Sequence, residues 1–137
     1  MKVEIIPYEP AHAYAILERN IREEDLHLSK IPDWEAHVRG WKDNGPAYTL
    51  IVGGEVVGCA GVVMLGWARG EAWALFSTLF YRHKKTAYKA VRGILPMIIR
   101  ERKLRRVQAL VRPEFEAAKR FIEHLGFEKE GLLRAFG

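Results

Sequence analysis

The apolar positions of this chain switch between two periods, and the switches mark its elements. Val3 to Tyr8 alternates, is bounded by Pro7 and Pro10, and predicts a first strand. Ala13, Ile16, Leu17 and Ile21 recur at helical spacing, so a helix is predicted from Pro10 to about Ile21, with the proline tolerated in its first turn. Arg22 to Pro32 is polar and aperiodic. Asp33 reads as the N-cap of a second helix carrying Trp34, Val38 and Trp41 on one face, and Asn44-Gly45-Pro46 ends it.

Period two then returns. Ala47 to Val52 and Glu55 to Leu65 predict a hairpin around Gly53-Gly54, a turn that needs positive φ. Gly58 and Gly61 inside its second arm predict a bulge or a close backbone approach. A turn over Gly66 to Gly70 leads to a strand from Ala72 to Phe80. Thr86 to about Lys103 is a long helix, with apolar Ala87, Val91, Ile94, Leu95, Ile98 and Ile99, and Pro96 predicts a kink or break. Val107 to Val111 is a short strand. Ala117, Phe121 and Leu125, beside Ala118 and Ile122, give a closing amphipathic helix that Gly126 stops, and a last strand runs from Phe127 to about Phe136. The order β-α-α-β-β-β-α-β-α-β describes one α+β domain over residues 1–137, helices packed on a mixed central sheet.

Composition narrows the picture. With 137 residues, 49% hydrophobic and 28% charged, the chain is long enough to bury a core without staples. Its one cysteine, Cys59, excludes an internal disulfide and fits a reducing compartment. No apolar run reaches the ~20 residues that span a bilayer, and Glu4 and Pro7 break any secretory pattern, so a cytoplasmic protein without a membrane partner is expected. The net charge of +5 points to an anionic partner. Basic residues concentrate between Arg82 and Arg106, where Glu101 is the lone acid. The run Arg100 to Arg106 has no interleaved exposed aromatics, and a helix C-terminus attracts cations by itself, so nucleic acid is not the expected partner. The five histidines show no metal spacing, and no metal is expected. Cys59, mid-strand between glycines, reads as a small buried residue rather than a nucleophile.

The closing stretch Val111-Arg112-Pro113-Glu114-Phe115-Glu116-Ala117-Ala118-Lys119-Arg120-Phe121-Ile122-Glu123-His124-Leu125-Gly126-Phe127 resembles the motif V-R-P-S-N-E-A-A-x-R-x-Y-E-x-L-G-F of GNAT acyltransferases. The order of elements resembles that family over nearly the whole chain. The resemblance implies a three-layer GNAT-like fold, acetyl-CoA as cofactor, and transfer of its acetyl group to a small-molecule or peptide amine. The family adds a seventh strand pairing with the sixth, whereas Gly137 ends this chain where that hairpin would turn. The usual last strand is therefore expected to be absent, or supplied by another chain in a homodimer.

The same resemblance implies the site. In the family a loop of pattern R/Q-x-x-G-x-G/A binds the pyrophosphate with backbone amides at the start of the third helix. Here it falls on Arg82-His83-Lys84-Lys85-Thr86-Ala87-Tyr88, with Lys85, or in the shifted register Thr86 and Tyr88, standing where glycines are expected. The implied cofactor contacts are Thr78, Leu79, Arg82, Lys84, Lys85, Thr86, Ala87 and Phe115, with Lys84 and Lys85 supplying charge and Thr86 capping the helix. A solvated basic turn is the competing reading of Arg82 to Lys85. Phe115 and Ile122 replace the family's Asn and its acid Tyr, which puts the usual cofactor contact and the usual proton donor in doubt. Glu71, Ser77 and Tyr88 are the remaining catalytic candidates, with Tyr81, Asp25 and His27 behind them. Three functions stay open, in this order: an acetyltransferase, a catalytically degenerate GNAT-fold binding or scaffold protein of a kind that also resembles those of tailed phages, and last a nucleic-acid-binding protein using the basic helix.

Overall fold

The computed structural model of the chain describes residues 2–19, 34–109, 120–121, 123–126, 128–130 and 132–134. Strand β1 (Val3–Pro7) is followed by helices α1 (Pro10–Arg19) and α2 (Trp34–Asp43), then β2 (Ala47–Val52), β3 (Glu55–Gly66) and β4 (Arg69–Phe76). A 3-10 turn (Thr78–Arg82) leads into α3 (Lys84–Glu101), and β5 (Arg106–Ala109) follows. Arg120, Phe121, Glu123 and His124 are helical, and β6 (Glu128–Glu130) and β7 (Leu132–Arg134) come last. The sheet order is β1-β2-β3-β4-β5. Its first four strands are antiparallel neighbours, and β5 lies parallel to β4. This is the expected α+β architecture.

Several boundaries differ from the sequence pattern. The turn expected over residues 66–70 is only Trp67-Ala68, both with left-handed φ (54° and 59°), because β3 and β4 pair down to Gly66↔Arg69. Strand β4 stops at Phe76 rather than Phe80, since Ser77 caps the 3-10 turn with its side chain. Helix α3 begins at Lys84, and Thr86 is its third residue, so His83 and not Thr86 holds the N-cap position. Pro96 sits inside α3 without ending it; the ring removes one ladder donor on an exposed turn. The single strand expected over residues 127–136 is two short strands, β6 and β7, paired antiparallel, with β7 lying against β5. The seventh strand is thus present in three residues, and the reason for invoking a second chain disappears. Asp33, Leu110 to Lys119 and Ile122 lie outside the described residues.

Side-chain parity on β4 sorts the two cores. Leu75 faces α1 and α2 with Tyr8, Ala13, Ile16, Val38 and Cys59, and half-buried Trp73 packs against this group. Phe76 faces the other way, with Leu50, Val52, Val57, Phe80 and the α3 residue Ala87. Farther along that face Val62, Leu95, Ile98, Leu104, Val107 and Ala109 pack together. Burying a side chain such as Ile16 or Leu75 stabilises the fold by about 1.5–3 kcal/mol. Tyr8 donates its hydroxyl to the Val38 carbonyl at 2.8 Å, which fixes the end of β1 to α2. The expected close approach at Gly58 is to Phe76, and the expected irregularity is a register shift opposite it, between Leu50 and Ile51.

Candidate active site

The site is built at the end of β4. Ser77 is fully buried: its hydroxyl lies 3.0 and 3.1 Å from the Val56 and Val57 carbonyls and accepts from the Leu79 N–H at 3.2 Å. These bonds turn the chain from β4 into the 3-10 turn and occupy the hydroxyl, so Ser77 is a structural cap rather than a group open to substrate. Thr78 is exposed and Leu79 packs on the Phe76–Phe80 cluster. The 3-10 turn delivers His83 to the start of α3, where it makes no side-chain capping bond.

Among the described residues the first amides of α3 have no side-chain cap. Lys84, Lys85 and Thr86 precede the first residue whose N–H finds an acceptor near the turn, Ala87, bonded to the His83 carbonyl at 2.9 Å. The first turn of α3 contains no acidic residue, and Lys84 and Lys85 are exposed. Lysines here oppose the helix dipole, which favours anions at this end. The Lys84 ammonium lies 5.7 Å from the Tyr81 ring. Arg82 is exposed one residue before the cap. Ala87 is wholly buried in the Phe76 cluster, so its side chain serves packing.

A family model for the GNAT acetyltransferase domain matches residues 3–128. The chain belongs to the GNAT acetyltransferase family. Solved structures agree on the fold. A GNAT-family acetyltransferase from Bacillus anthracis is 22% identical with a TM-score of 0.68, over 96% of this chain and 82% of that one. One from Staphylococcus aureus is 21% identical with a TM-score of 0.70, over 95% and 88%. The aminoglycoside acetyltransferase AAC(6')-Ib, solved with coenzyme A, is 16% identical with a TM-score of 0.67, over 94% and 86%. A comparison with curated proteins finds no match.

Within this GNAT domain β4 and β5 pair from Arg69↔Arg106 to Ala72↔Ala109, the last described residue of β5, and β4 continues to Phe76. Ala74, in that continuation, is exposed although Leu75 and Phe76 beside it are buried. Glu71 lies half-buried one residue before the last described pair, on the sheet face it shares with Trp73. Trp73 stacks on Trp41 (4.1 Å between centroids, 11° between planes), and its buried Nε1–H has no hydrogen-bond partner among the described residues. Tyr88 donates its hydroxyl to the His124 carbonyl at 2.8 Å and meets the Phe121 ring edge-on. It fastens α3 to the closing helix, a packing role. Phe115, Asp25 and His27 lie outside the described residues.

Sequence reasoning passed over His12. Its Nδ1 lies 2.8 Å from Thr49 Oγ1 and 3.1 Å from the Glu9 N–H, which donates to it. Burial pushes the imidazole below its ordinary pKa, so this histidine is held neutral. No periodicity marks it, because its partner Thr49 comes from a strand 37 residues away. Cys59 is wholly buried and its thiol is pushed up to about 12 by burial, which agrees with its reading as a core residue. Among the described residues no cluster of His, Cys, Asp or Glu could hold a metal, and no helix is long and apolar enough to cross a membrane.

Proposed function

We propose that this GNAT domain transfers the acetyl group of acetyl-CoA to an amine, with the cofactor's pyrophosphate held at the start of α3. The observation that carries the reading is the uncapped first turn of α3, cationic where helix electrostatics alone would prefer acid. That turn suits a pyrophosphate: three amides without a side-chain cap among the described residues, two exposed lysines and Arg82 nearby in sequence. Lys85 and Thr86 carry side chains where the family has glycine, so charge substitutes for close backbone approach. Exposed Thr78 and Ala74, at the end of β4, would lie along the extended arm of the cofactor. When bound, acetyl-CoA supplies an activated acetyl thioester.

The remaining roles belong to the chain. Glu71, half-buried on β4 and in register with Gln108 of β5, would take the proton that an ammonium acceptor must lose before it attacks. Trp73, with its unpartnered N–H, would wall the acceptor side and offer it one hydrogen bond. The single thiol, buried and reduced, suits the cytoplasm.

Calorimetry with acetyl-CoA and with CoA, on the chain and on Lys84→Ala/Lys85→Ala, tests this. Saturable binding that the double variant weakens by about tenfold supports the site, the size expected when two charge-assisted phosphate contacts are lost. No binding of either form at millimolar concentration removes it. Binding without turnover across a panel of amines would favour the alternative function, a binding protein on the same fold.

A further inference from the structure

Two features reach beyond that site and meet at the far end of α3. The first is a line of cations. Lys85, shared with that site, Lys89, Arg92 and Arg100 recur at spacings that keep them on one side of the helix, opposite buried Ala87, Leu95 and Ile98, and Lys103 follows two residues past its end. All five are exposed, and no acid interrupts the run from Lys84 to Arg100. From Lys85 to Arg100 the line extends about 22 Å along α3. The helix dipole accounts for cations in the last turn alone and disfavours those in the first. Among the described residues none of these five forms an ion pair.

The second feature is Trp67. It is 93% exposed at the tip of the β3–β4 hairpin, in a two-residue turn whose residues both hold left-handed φ without being glycine. Such a turn costs conformational energy and is kept only when its surroundings determine it. Here the Ala68 carbonyl accepts from the Arg105 N–H at 2.7 Å and the Arg106 N–H at 3.2 Å, which ties the hairpin to the residues leaving α3. Arg102 lines a shallow cleft together with Met64 of β3, on the same corner. An indole is thus held out beside the end of the basic line.

We infer that this surface binds a single-stranded nucleic acid, with the cationic line of α3 following the phosphates and Trp67 stacking on an unpaired base. The length of the line asks for a polyanion rather than a metabolite. Two copies of the chain joined through this face would oppose like charges. A bilayer is met by a patch of several apolar side chains, whereas the exposed apolar side chains here are split between the two ends of the line, Leu65 and Trp67 at one and Tyr81 at the other. A single strand carries both complementary groups, a regular line of phosphates and free base faces. The inference does not rest on the acetyl-CoA site, because neither Trp67 nor Lys89 nor Arg100 belongs to it.

The test is fluorescence anisotropy with labelled oligo(rU) and oligo(dT) of about 12 nucleotides, a length within the range of single-strand sites. Saturable binding to either strand, weakening linearly with the logarithm of salt, is expected, and the tighter of the two names the strand type. Trp67→Ala should weaken it by about tenfold, the loss of one stacked base. Lys89→Glu/Arg100→Glu/Lys103→Glu should abolish it, with circular dichroism confirming that both variants fold. Four results would each overturn the inference. They are no saturable binding at low salt, binding indifferent to Trp67→Ala, tighter binding to a duplex of the same length, or preferential capture by phosphatidylserine vesicles with a blue-shifted Trp67 emission.

Discussion

The Tyr88 hydroxyl donates to the His124 carbonyl at 2.8 Å, across 36 residues of sequence, and joins α3 to the closing helix. A phenol spent on a backbone carbonyl is a strut. Tyr88→Phe should therefore lower stability by about 1 kcal/mol, the net value of one hydrogen bond. It should leave the pH profile of acetyl transfer unchanged. Denaturant melts and a pH–rate profile check the two halves; a profile that lost its basic limb would return Tyr88 to the chemistry.

Glu71 is the opposite case, a half-buried carboxylate on β4 in register with Gln108 of β5. Glu71→Gln should reduce kcat by about a hundredfold, a typical contribution of general base catalysis, with acetyl-CoA affinity preserved. Steady-state kinetics with calorimetry separate these. An unaltered kcat would discharge Glu71 from the role.

Gly58 has no room for a side chain. An added Cβ would stand 2.2 Å from Cδ1 of Phe76 and 3.1 Å from the Leu75 carbonyl oxygen. Gly58→Ala should destabilise the domain by about 1–3 kcal/mol through overpacking, read from the urea midpoint. The double variant Gly58→Ala/Phe76→Leu should recover part of the loss, as the ring is the main obstacle.

The Cys59 thiol, raised from 9.0 to about 12 by burial, should stay inert to Ellman's reagent in the native protein and react fully once unfolded. Its linkage has a definite sign. Above pH 9 the unfolded thiol ionises while the folded one keeps its proton, so the protein loses stability as pH rises from about 9 toward 12. Replacing Cys59 by alanine should remove that alkaline component from a pH series of denaturant melts.

His12 works in the other direction. Burial lowers its pKa from 6.5, so the unfolded chain takes up a proton at a pH where the folded one does not. The stability contributed by the neutral ring is complete above 6.5 and is lost as pH falls below it. Chemical-shift titration should give His12 a midpoint below 6.5. Thr49→Val, which removes the hydroxyl 2.8 Å from Nδ1, should move that midpoint toward 6.5.

Most of the fold was legible in the chain because each element carries its own period. The hairpin at Gly53-Gly54, the amphipathic α3 and the Gly126 stop are local properties, and a family motif spans the last of them. The boundaries that moved were set by contacts from elsewhere: Ser77 ends β4 through bonds to Val56 and Val57, and pairing with β3 shrinks the next turn to Trp67-Ala68. The site was legible only in part. Its cationic turn is contiguous in sequence, so Lys84 and Lys85 stand out by inspection. The difference between a free hydroxyl and an occupied one, which sets Ser77 and Tyr88 aside, depends on partners 20 and 36 residues away.

By itself, then, the sequence determined the family, the order of elements and a basic segment that asks for an anion, since composition and periodicity are properties of neighbours along the chain. Only the tertiary structure decided which groups are buried and bonded, and that the tip at Trp67 lies beside the end of α3. That neighbourhood is made by one carbonyl accepting two N–H groups from residues nearly forty positions away, and no local pattern encodes it.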